Sequence, residues 1–494
     1  MNAHLPILIV VVPLLAAGLV PLAAFRSVRL ARGLALGALT STVAIAMAAL
    51  ARTLDQGRIS YHLGGWAPPW GIEYVIDPLS GGVAVLVAAF GLVAAVYAGP
   101  FLAQVPRIGA GAFHAVYLLL VTGLLGIVVT GDLFNLYVFL EISSLAVYAL
   151  IALGGPRGVA ASFRYLLLGT VAGSFYLLGV GYLYALTGTL NMADMAVRLA
   201  PVADSPAVTV AVALMVVGLA IKMGLFPLHG WLPDAYTFAP APVTGLIAAV
   251  MTKVSVYALF RILFYVVDPA PAVADALQLL GWVGALAIVA GSAVALAQTD
   301  VRRMLAYSSV GQMGYIVMGI AIGTPLALTG ALLHMLNHAV MKGCLFLAAG
   351  GVRFQTGAAD VASYSGAARR LPISMAAFSV AAVSLVGLPP TGGFFSKWYL
   401  LVASVDEGLW AFALALVASS LMTAVYLFRV VERAYFGEGR PEAVAPTPLP
   451  WRELPASMLA PIVLLGGAVL LLGLFNQRVV TGIIALALPA AASP

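Results

Sequence analysis

The chain has 494 residues, of which 63% are hydrophobic and only 9% are charged. Because soluble proteins carry about 25% charged residues, this composition excludes a water-soluble protein and indicates an integral membrane protein. The single cysteine, Cys344, excludes a disulfide framework and a cysteine-based metal cluster. The net charge of +6 comes mostly from arginines near helix ends, which indicates membrane topology rather than nucleic-acid binding.

Fourteen apolar runs follow one another along the chain. A membrane-crossing helix needs about 20 mostly apolar residues, so the predicted fold class is an all-α polytopic membrane protein with about fourteen transmembrane helices. The first run is expected to be a retained helix because it lacks the flanks of a signal peptide. Spans 1 to 14 are predicted at 5–24, 32–51, 78–98, 111–130, 132–153, 161–187, 206–230, 241–266, 273–297, 303–323, 325–350, 372–404, 409–436 and 457–476.

Arginine is distributed unevenly between the two sides of these spans. The connections on one side hold only Arg52, Arg58, Arg198 and Arg478. Cytoplasmic loops carry an excess of basic residues, so the connections after odd-numbered spans are predicted to be cytoplasmic. Both termini are then expected outside, in a bacterial inner (cytoplasmic) membrane. The arginines assigned to the cytoplasmic side are Arg26, Arg29, Arg32, Arg107, Arg157, Arg302, Arg303, Arg353, Arg369, Arg370, Arg433, Arg440 and Arg452.

Span 5 carries one carboxylate, Glu141, near its centre. This position is too far from either end of the helix for the side chain to reach the membrane surface. One interpretation is a neutral, protonated Glu141 bonded to one neighbour. The alternative hypothesis is that Glu141 faces an ammonium group on another helix, with Lys222 as the expected partner. In such a pair each charge stabilises the ionised form of the other.

Spans 7 and 12 contain prolines that should interrupt their helices. Pro227 lies in span 7, and Pro389 and Pro390 lie in span 12. Proline removes a backbone donor and clashes with the preceding turn of a helix. Interrupted helices in corresponding places are typical of a midplane ion site between inverted repeats, although proline is also common in ordinary membrane helices.

The interval of five spans between the two breaks predicts two five-helix repeats, spans 4–8 and 9–13. An odd number of helices per repeat makes the second copy inverted. The predicted division is three N-terminal helices in 1–110, the first repeat in 111–266, the inverted second repeat in 267–436, and helix 14 with a tail in 437–494. No connection is long enough to fold as a soluble domain.

All four lysines of the chain lie inside apolar spans, whereas the connections use arginine. A lysine at mid-membrane costs about 2.5–3.5 kcal/mol. Unlike arginine, a buried lysine can shift its pKa far enough to exchange a proton. One lysine alone could extend from a helix end to the membrane surface, but this explains four lysines poorly. They are Lys222, Lys253, Lys342 and Lys397.

Span 11 carries His334, His338 and Lys342 at positions i, i+4 and i+8, which places them on one face of the helix. Histidine titrates near neutral pH, so this stripe could pass protons along the membrane. Two histidines at this spacing also suit zinc, but no third ligand lies nearby in the sequence. We therefore predict no metal site.

Other polar residues form weaker stripes in spans 8 and 10. Ordinary hydrogen bonding between helices explains the second stripe as well as a water-holding face does. The chain has no sequence motif for nucleotide binding, haem attachment, iron–sulfur ligation or nucleophilic catalysis, so no cofactor is predicted. The stripes consist of Lys253, Tyr257 and Arg261 in span 8, and Ser308, Gln312 and Tyr315 in span 10.

Five segments together resemble a known family, the antiporter-like subunits shared by respiratory complex I and Mrp-type multisubunit cation/proton antiporters. The phrase "FNLYVFLE" is most similar to the D subunits of Mrp antiporters, although the N, M and L subunits of complex I share the same skeleton. The segments are "TGDLFNLYVFLEISSLAVYALIALGG", "KMGLFPLHGWLPDAY", "RRMLAYSSVGQMGYI", "LLHMLNHAVMKGCLFLAAGG" and "GLPPTGGFFSKWYL".

The resemblance implies fourteen helices with two inverted repeats, and small hydrophobic membrane subunits as partners. It implies that Glu141 is the essential glutamate of the fifth helix and that Lys222 is the lysine of the broken seventh helix. It likewise implies roles for Lys253 as the linking lysine of the eighth helix, for His334 and His338 as the polar residues of the eleventh, and for Lys397 as the lysine of the broken twelfth.

The expected function is therefore a proton-translocating subunit with a hydrated midplane path through these residues and no catalytic centre of its own. Monovalent cation/proton antiport, with Na⁺ or K⁺ as the cation, is the main hypothesis. The alternative is a proton-pumping subunit of a complex I-like or hydrogenase-linked redox complex. A third hypothesis is a non-conducting scaffold, in which the buried charges only orient helices.

Overall fold

The computed structural model describes residues 4–267, 271–437 and 453–488. Two arginines of the topology argument, Arg440 and Arg452, and the tail 489–494 lie outside these ranges. Within the described residues, thirteen helices are long and apolar enough to cross a membrane. Their bounds are Leu5–Arg26, Val28–Gln56, Pro78–Tyr97, Arg107–Val129, Leu133–Ala152, Pro156–Thr187, Pro206–Met223, Ala241–Tyr265, Pro271–Leu296, Val301–Ile322, Pro325–Thr356, Trp410–Phe436 and Ala456–Leu474.

The remaining predicted span, span 12, is divided into two shorter helices, Pro372–Val386 and Gly392–Asp406. Neither half is long enough to count as a crossing helix by itself, which accounts for the difference between thirteen and fourteen. The prediction of an all-α multi-pass membrane fold is confirmed. The division of the chain into two inverted repeats stays a prediction.

Span 7 is also divided, but its helix ends earlier than its proline suggested. The first helix ends at Met223, and Gly224 follows with φ of 68°. Glycine adopts this left-handed conformation without a Cβ clash and commonly ends helices. Pro227 lies in the non-helical turn beyond it, and the chain resumes as the short helix Leu232–Phe238.

Span 12 ends its first half in the same way. Gly387 follows Val386 with φ of 94°, and Pro389 and Pro390 lie in the turn that leads to Gly392. In both spans the glycine terminates the helix, and the proline prevents the turn beyond it from returning to helix. Two half-helix ends are thereby placed inside the membrane part of the protein.

Helices at the centre of the bundle carry Lys253 and the predicted stripe of His334, His338 and Lys342. Spans 4, 8, 10 and 11 are largely covered by other helices, whereas spans 1, 2, 6 and 14 leave most of their surface uncovered. Span 8 contains one wide π-helical turn, Ile247–Met251, immediately before Lys253. Such turns are rare and frequently occur at functional positions.

A short hairpin joins spans 2 and 3, which the sequence did not predict. Its strands, Ile59–His62 and Glu73–Ile76, pair antiparallel. Glu73 accepts hydrogen bonds from Ser60 at 2.5 Å and from Asn191 at 2.9 Å. Burial opposes ionisation of this carboxyl, but those bonds and the nearby Arg58 outweigh it, so the pKa of Glu73 is lowered. The carboxylate therefore ties the hairpin to the connection after span 6.

Candidate functional site

Lys222 and Glu141 meet at the first helix break. Lys222 is in the last turn of its helix and is only 3% exposed. Its Nζ lies 3.6 Å from Glu141 Oε1 and donates to Ser144 Oγ at 2.6 Å. Glu141 and Ser144 are three residues apart on span 5 and therefore share one face of that helix. The carbonyl end of a helix also favours a cation, so three groups stabilise this ammonium.

Small residues on span 6 make room for the pair. A Cβ at Gly169 would collide with the Tyr148 hydroxyl, and a side chain at Gly173 would collide with the Glu141 carboxylate. Glycine at these positions lets span 6 pack closely against the Glu141 carboxylate and the Tyr148 ring of span 5. The Glu141 side chain nevertheless stays 28% exposed. The pair thus lies at the edge of the bundle, open on one side to whatever packs there.

Lys253 is fully buried and has no carboxylate partner within the described residues. Its Nζ donates to Ala248 O at 2.5 Å, an acceptor supplied by the π-helical turn. The wide turn therefore presents a backbone carbonyl to an ammonium that would otherwise be buried without an acceptor, which is a costly arrangement.

The other two residues of the span 8 stripe bond to residues outside span 8. Tyr257 donates to Val128 O at 2.8 Å. Arg261 forms a bidentate pair with Asp77, at 2.6 and 2.8 Å. Burial opposes ionisation of Asp77, but Arg261 outweighs it and lowers the pKa of this carboxyl, which lies just before span 3. The predicted stripe thus contains one lysine without a carboxylate partner among the described residues and one ion pair that connects two helix ends.

His334 joins three spans at the centre of the bundle. Its Nε2 can donate to Gln312 Oε1 on span 10 at 2.8 Å. Its Nδ1 lies 2.9 Å from Ser396 Oγ on the second half of span 12. The ring is fully buried and parallel to that of His338, with 6.0 Å between the ring centroids. The predicted helical stripe is therefore present with the expected spacing.

His338 is fully buried, and neither ring nitrogen has a hydrogen-bond partner among the described residues. Electrostatic interactions reach this ring from Lys253 and from Lys342. Lys342 donates to Leu305 O at 2.8 Å and lies 5.9 Å from the centre of the Phe346 ring. His338 thus lies within electrostatic range of two lysines, and its own ring nitrogens are not hydrogen-bonded to any described residue.

Lys397 lies beyond the second helix break and reaches back across it. Its Nζ donates to Leu385 O at 2.8 Å, to Val386 O at 3.1 Å and to Ser420 Oγ at 3.1 Å. It also lies 4.8 Å above the ring of Tyr315, which stacks on His334 with centroids 5.3 Å apart. Tyr315 therefore connects the histidine stripe with the second break.

The structure brings the predicted residues together in two groups. Glu141 and Lys222 form one, and a continuous series from His338 through His334 and Tyr315 to Lys397 forms the other. Lys253 and Lys342 lie within electrostatic range of His338. Sequence reasoning missed the hydroxyl partners Ser144, Ser396 and Ser420. It noted Gln312 and Tyr315 only as a polar face.

A third charged group, on the arginine-rich side, was not predicted either. Asp234, in the short helix after the first break, bonds Arg303 at 2.8 Å and also pairs with Arg164. These contacts connect spans 6 and 10 to the second half of span 7. The carboxylate therefore fixes the short helix in place relative to the break.

Comparison with known proteins gives consistent matches over most of the chain. A family profile described as NADH:quinone oxidoreductase/Mrp antiporter, TM, matches residues 130–423. The chain is 57% identical to the NADH-quinone oxidoreductase N subunit of Desulforudis audaxviator (strain MP104C), with 99% of each chain covered. It is 32% identical to the Na(+)/H(+) antiporter D subunit of Bacillus subtilis (strain 168), covering 86% of this chain and 84% of that one.

A solved structure agrees with these matches. A chain of the Mrp complex from Dietzia sp. DQ12-45-1b has a TM-score of 0.88 and 29% sequence identity, covering 99% of this chain and 98% of that one. The arrangement of helices is therefore shared along nearly the full length of both chains.

Proposed function

This chain belongs to the NADH:quinone oxidoreductase/Mrp antiporter family, and we propose that it is a proton-translocating subunit of a redox-driven membrane complex. The observation that carries the proposal is the contact between Lys222 and Glu141 at a helix break inside the membrane. A charged pair at this depth is energetically costly, so its presence indicates a function. Its open side gives a neighbouring subunit access to the carboxylate.

The first step in the proposed mechanism is separation of this pair. With Glu141 at 3.6 Å, the ammonium of Lys222 has a counter-charge. If Glu141 turns towards a neighbouring subunit, Lys222 keeps only Ser144 and the helix end as partners. An ammonium without its counter-charge is disfavoured in a low-dielectric interior, so the proton moves on towards the centre of the bundle.

The central residues then act as a relay. We propose that Lys253, as a neutral amine, receives the proton and passes it to His338, whose ring nitrogens have no hydrogen-bond partner among the described residues and are free to bond water molecules or a neighbouring ammonium. The proton continues through His334, past the Tyr315 ring, to Lys397 beyond the second break. Lys342, which is bonded to a carbonyl of span 10, acts as a side branch that adjusts the charge around His338.

The relatives support a redox-driven complex over cation antiport. Identity to a NADH-quinone oxidoreductase subunit is 57% over nearly the whole chain, against 32% to an antiporter subunit. The sequence-based preference for antiport is therefore replaced here by its alternative. Electron carriers would belong to partner subunits, because this chain has no motif that holds one. We place the complex in the cytoplasmic membrane, with both termini outside.

Cation/proton antiport is the second candidate function. Its support is the TM-score of 0.88 to a chain of an Mrp complex. The same buried proton path would serve a redox-driven complex or an antiporter. Purifying the chain with its partners in mild detergent separates the two. Partners that carry flavin or iron–sulfur groups support redox pumping, whereas a complex without redox centres that exchanges protons for Na⁺ or K⁺ supports antiport.

The proton path itself is tested by Lys222→Ala in the assembled complex. We expect proton translocation in closed vesicles to be abolished while the chain still inserts and assembles. Val210→Ala on the exposed side of the same helix is the matched control and should translocate like the wild type. Full translocation by Lys222→Ala would refute the path and favour the scaffold hypothesis.

A further inference from the structure

A cavity of about 330 Å³ on the arginine-rich side is lined by three arginines and by no acidic residue among the described residues. Arg157, Arg302 and Arg353 come from the start of span 6, the start of span 10 and the end of span 11. Gly154, Pro156, Thr237 and Phe238 complete the lining. Three guanidinium groups around one cavity repel each other, and an anion bound between them would offset this repulsion.

Arg302 forms the base of the cavity and is only 7% exposed. Its Nη2 lies within hydrogen-bonding distance of the carbonyl oxygens of Tyr236 and Ala239, at 2.9 and 2.6 Å, and of Thr244 Oγ1. Its Nε is buried and has no hydrogen-bond partner among the described residues. A buried donor of this kind normally has an acceptor, and a guanidinium Nε suits an anionic oxygen.

Arg157 and Arg353 stand at the exposed rim of the same cavity. Arg157 lies over the Phe238 ring at 5.9 Å, and Arg353 lies within electrostatic range of Arg302. Neither forms an ion pair with a carboxylate among the described residues. A purely topological role does not require arginines to converge, because residues that only set orientation can point separately into the headgroup layer.

The neighbouring cavity, of about 400 Å³, provides an internal contrast. It shares Arg157 and Phe238 but also contains Asp234, whose carboxylate pairs with Arg164 and Arg303. There the protein supplies its own anion. Asp300, the carboxylate that acts electrostatically on Arg302, does not line the first cavity and instead caps span 10 through Arg303 N.

Helix geometry adds to the positive potential. Span 6 begins at Pro156 and span 10 at Val301, so the first turns of two long helices face this side. Helix N-termini carry partial positive charge and favour anions. The carbonyls that end the short helix Leu232–Phe238 would oppose this, but Arg302 already bonds them.

We propose that this cavity is a binding site for a phosphate group, held by Arg157 and Arg353 at the rim and by Arg302 Nε at the base. The group is either the headgroup of an anionic phospholipid or a free phosphate. Basic cavities between membrane helices on the cytoplasmic side suit lipid headgroups. Planar guanidinium groups match phosphate oxygens with paired hydrogen bonds.

The test uses the full-length chain in its complex, stripped of lipid in a neutral detergent. Binding is measured by native mass spectrometry with phosphatidylglycerol against phosphatidylcholine, and by calorimetry with inorganic phosphate against chloride at constant ionic strength. The test variant is Arg157→Gln/Arg353→Gln, which leaves the structural Arg302 in place. Its matched control is Arg369→Gln/Arg370→Gln, which removes two exposed arginines from the same side.

We expect the wild type and the control to bind, and we expect the test variant to bind at least about tenfold more weakly. Preference for phosphatidylglycerol with no effect of inorganic phosphate identifies a lipid headgroup, and binding of inorganic phosphate identifies a free anion. Equal binding by the test variant and the wild type would overturn the site. So would an equal loss in the control, or a wild type that prefers neither probe.

Discussion

The two helix breaks hold an ammonium at the same kind of place by different means. Lys222 lies in the last turn before the first break, on the half-helix whose carbonyl end stabilises it. Lys397 lies after the second break and donates back to the final carbonyls of the preceding half-helix, Leu385 and Val386. In both cases the ammonium is at the C-terminal end of a helix that stops inside the membrane.

The difference is the counter-charge. Lys222 has Glu141 at 3.6 Å, on a side chain that is 28% exposed at the edge of the bundle. Lys397 has two carbonyls, a hydroxyl and an aromatic ring as partners, and none of them is charged. A partly exposed carboxylate that turned away would change the charge state of its partner, whereas the carbonyls at a helix end cannot turn away in this manner. The first break therefore suits a switch and the second a constant relay station.

Among changes that remove this difference between the two breaks, Glu141→Gln should have the largest effect on proton translocation. The amide keeps the shape of the side chain but removes the charge, so Lys222 comes to resemble Lys397, with polar but uncharged partners. We expect proton translocation to fall by about tenfold or more, because loss of one partner leaves a buried charge uncompensated. Proton uptake by vesicles that contain the assembled complex measures it.

Glu141→Asp is the matched control for that experiment. It keeps the charge at a greater distance from Lys222 and should retain a substantial part of the translocation. Wild-type rates in Glu141→Gln would show that the carboxylate is not a switch. The contrast between the two breaks would then have no functional meaning.

A smaller effect is expected from giving the second break a carboxylate of its own. Ser420 Oγ lies 3.1 Å from Lys397 Nζ, so Ser420→Asp places an anion beside the relay lysine. The added anion should stabilise the ammonium and so slow the release of its proton. We expect translocation to slow by about threefold to tenfold, which corresponds to about 0.7–1.4 kcal/mol. Ser420→Ala removes only one of three hydrogen bonds and should stay near the wild-type rate.

The same vesicle assay decides the outcome. If Ser420→Asp and Ser420→Ala behave alike, Lys397 does not release protons during turnover. The relay would then end before the second break, at the histidine stripe.

Much of the helical fold was readable from the sequence because membrane-crossing runs and buried charges are conspicuous against apolar surroundings. The meeting of Lys222 with Glu141 follows from the same reasoning, since few charges in a membrane interior leave few possible partners. The exact helix ends did not follow from the prolines. Gly224 and Gly387 end both helices before those prolines are reached.

The hydroxyl partners could not be predicted, for a physical reason. Ser144, Ser396 and Ser420 look like ordinary packing residues, because small polar residues are common between membrane helices. The reach of Lys397 across its break depends on a turn whose path the sequence does not specify. The arginines of the phosphate site were assigned to topology, because convergence in space leaves no trace in spacing along the chain.

The smallest effect is expected where a buried charge lies away from both breaks. Glu73 is bonded to Ser60 and Asn191 outside the crossing helices, so Glu73→Gln should leave translocation unchanged and cost about 1 kcal/mol of stability. Since folding lowers the pKa of Glu73, its contribution is present above the ordinary value of 4.5 and is lost as the pH falls through the folded value. The gap in Tm between wild type and Glu73→Gln should thus be open at pH 7 and narrow in acid. A translocation defect at neutral pH would mean that charges outside the breaks also take part in the path.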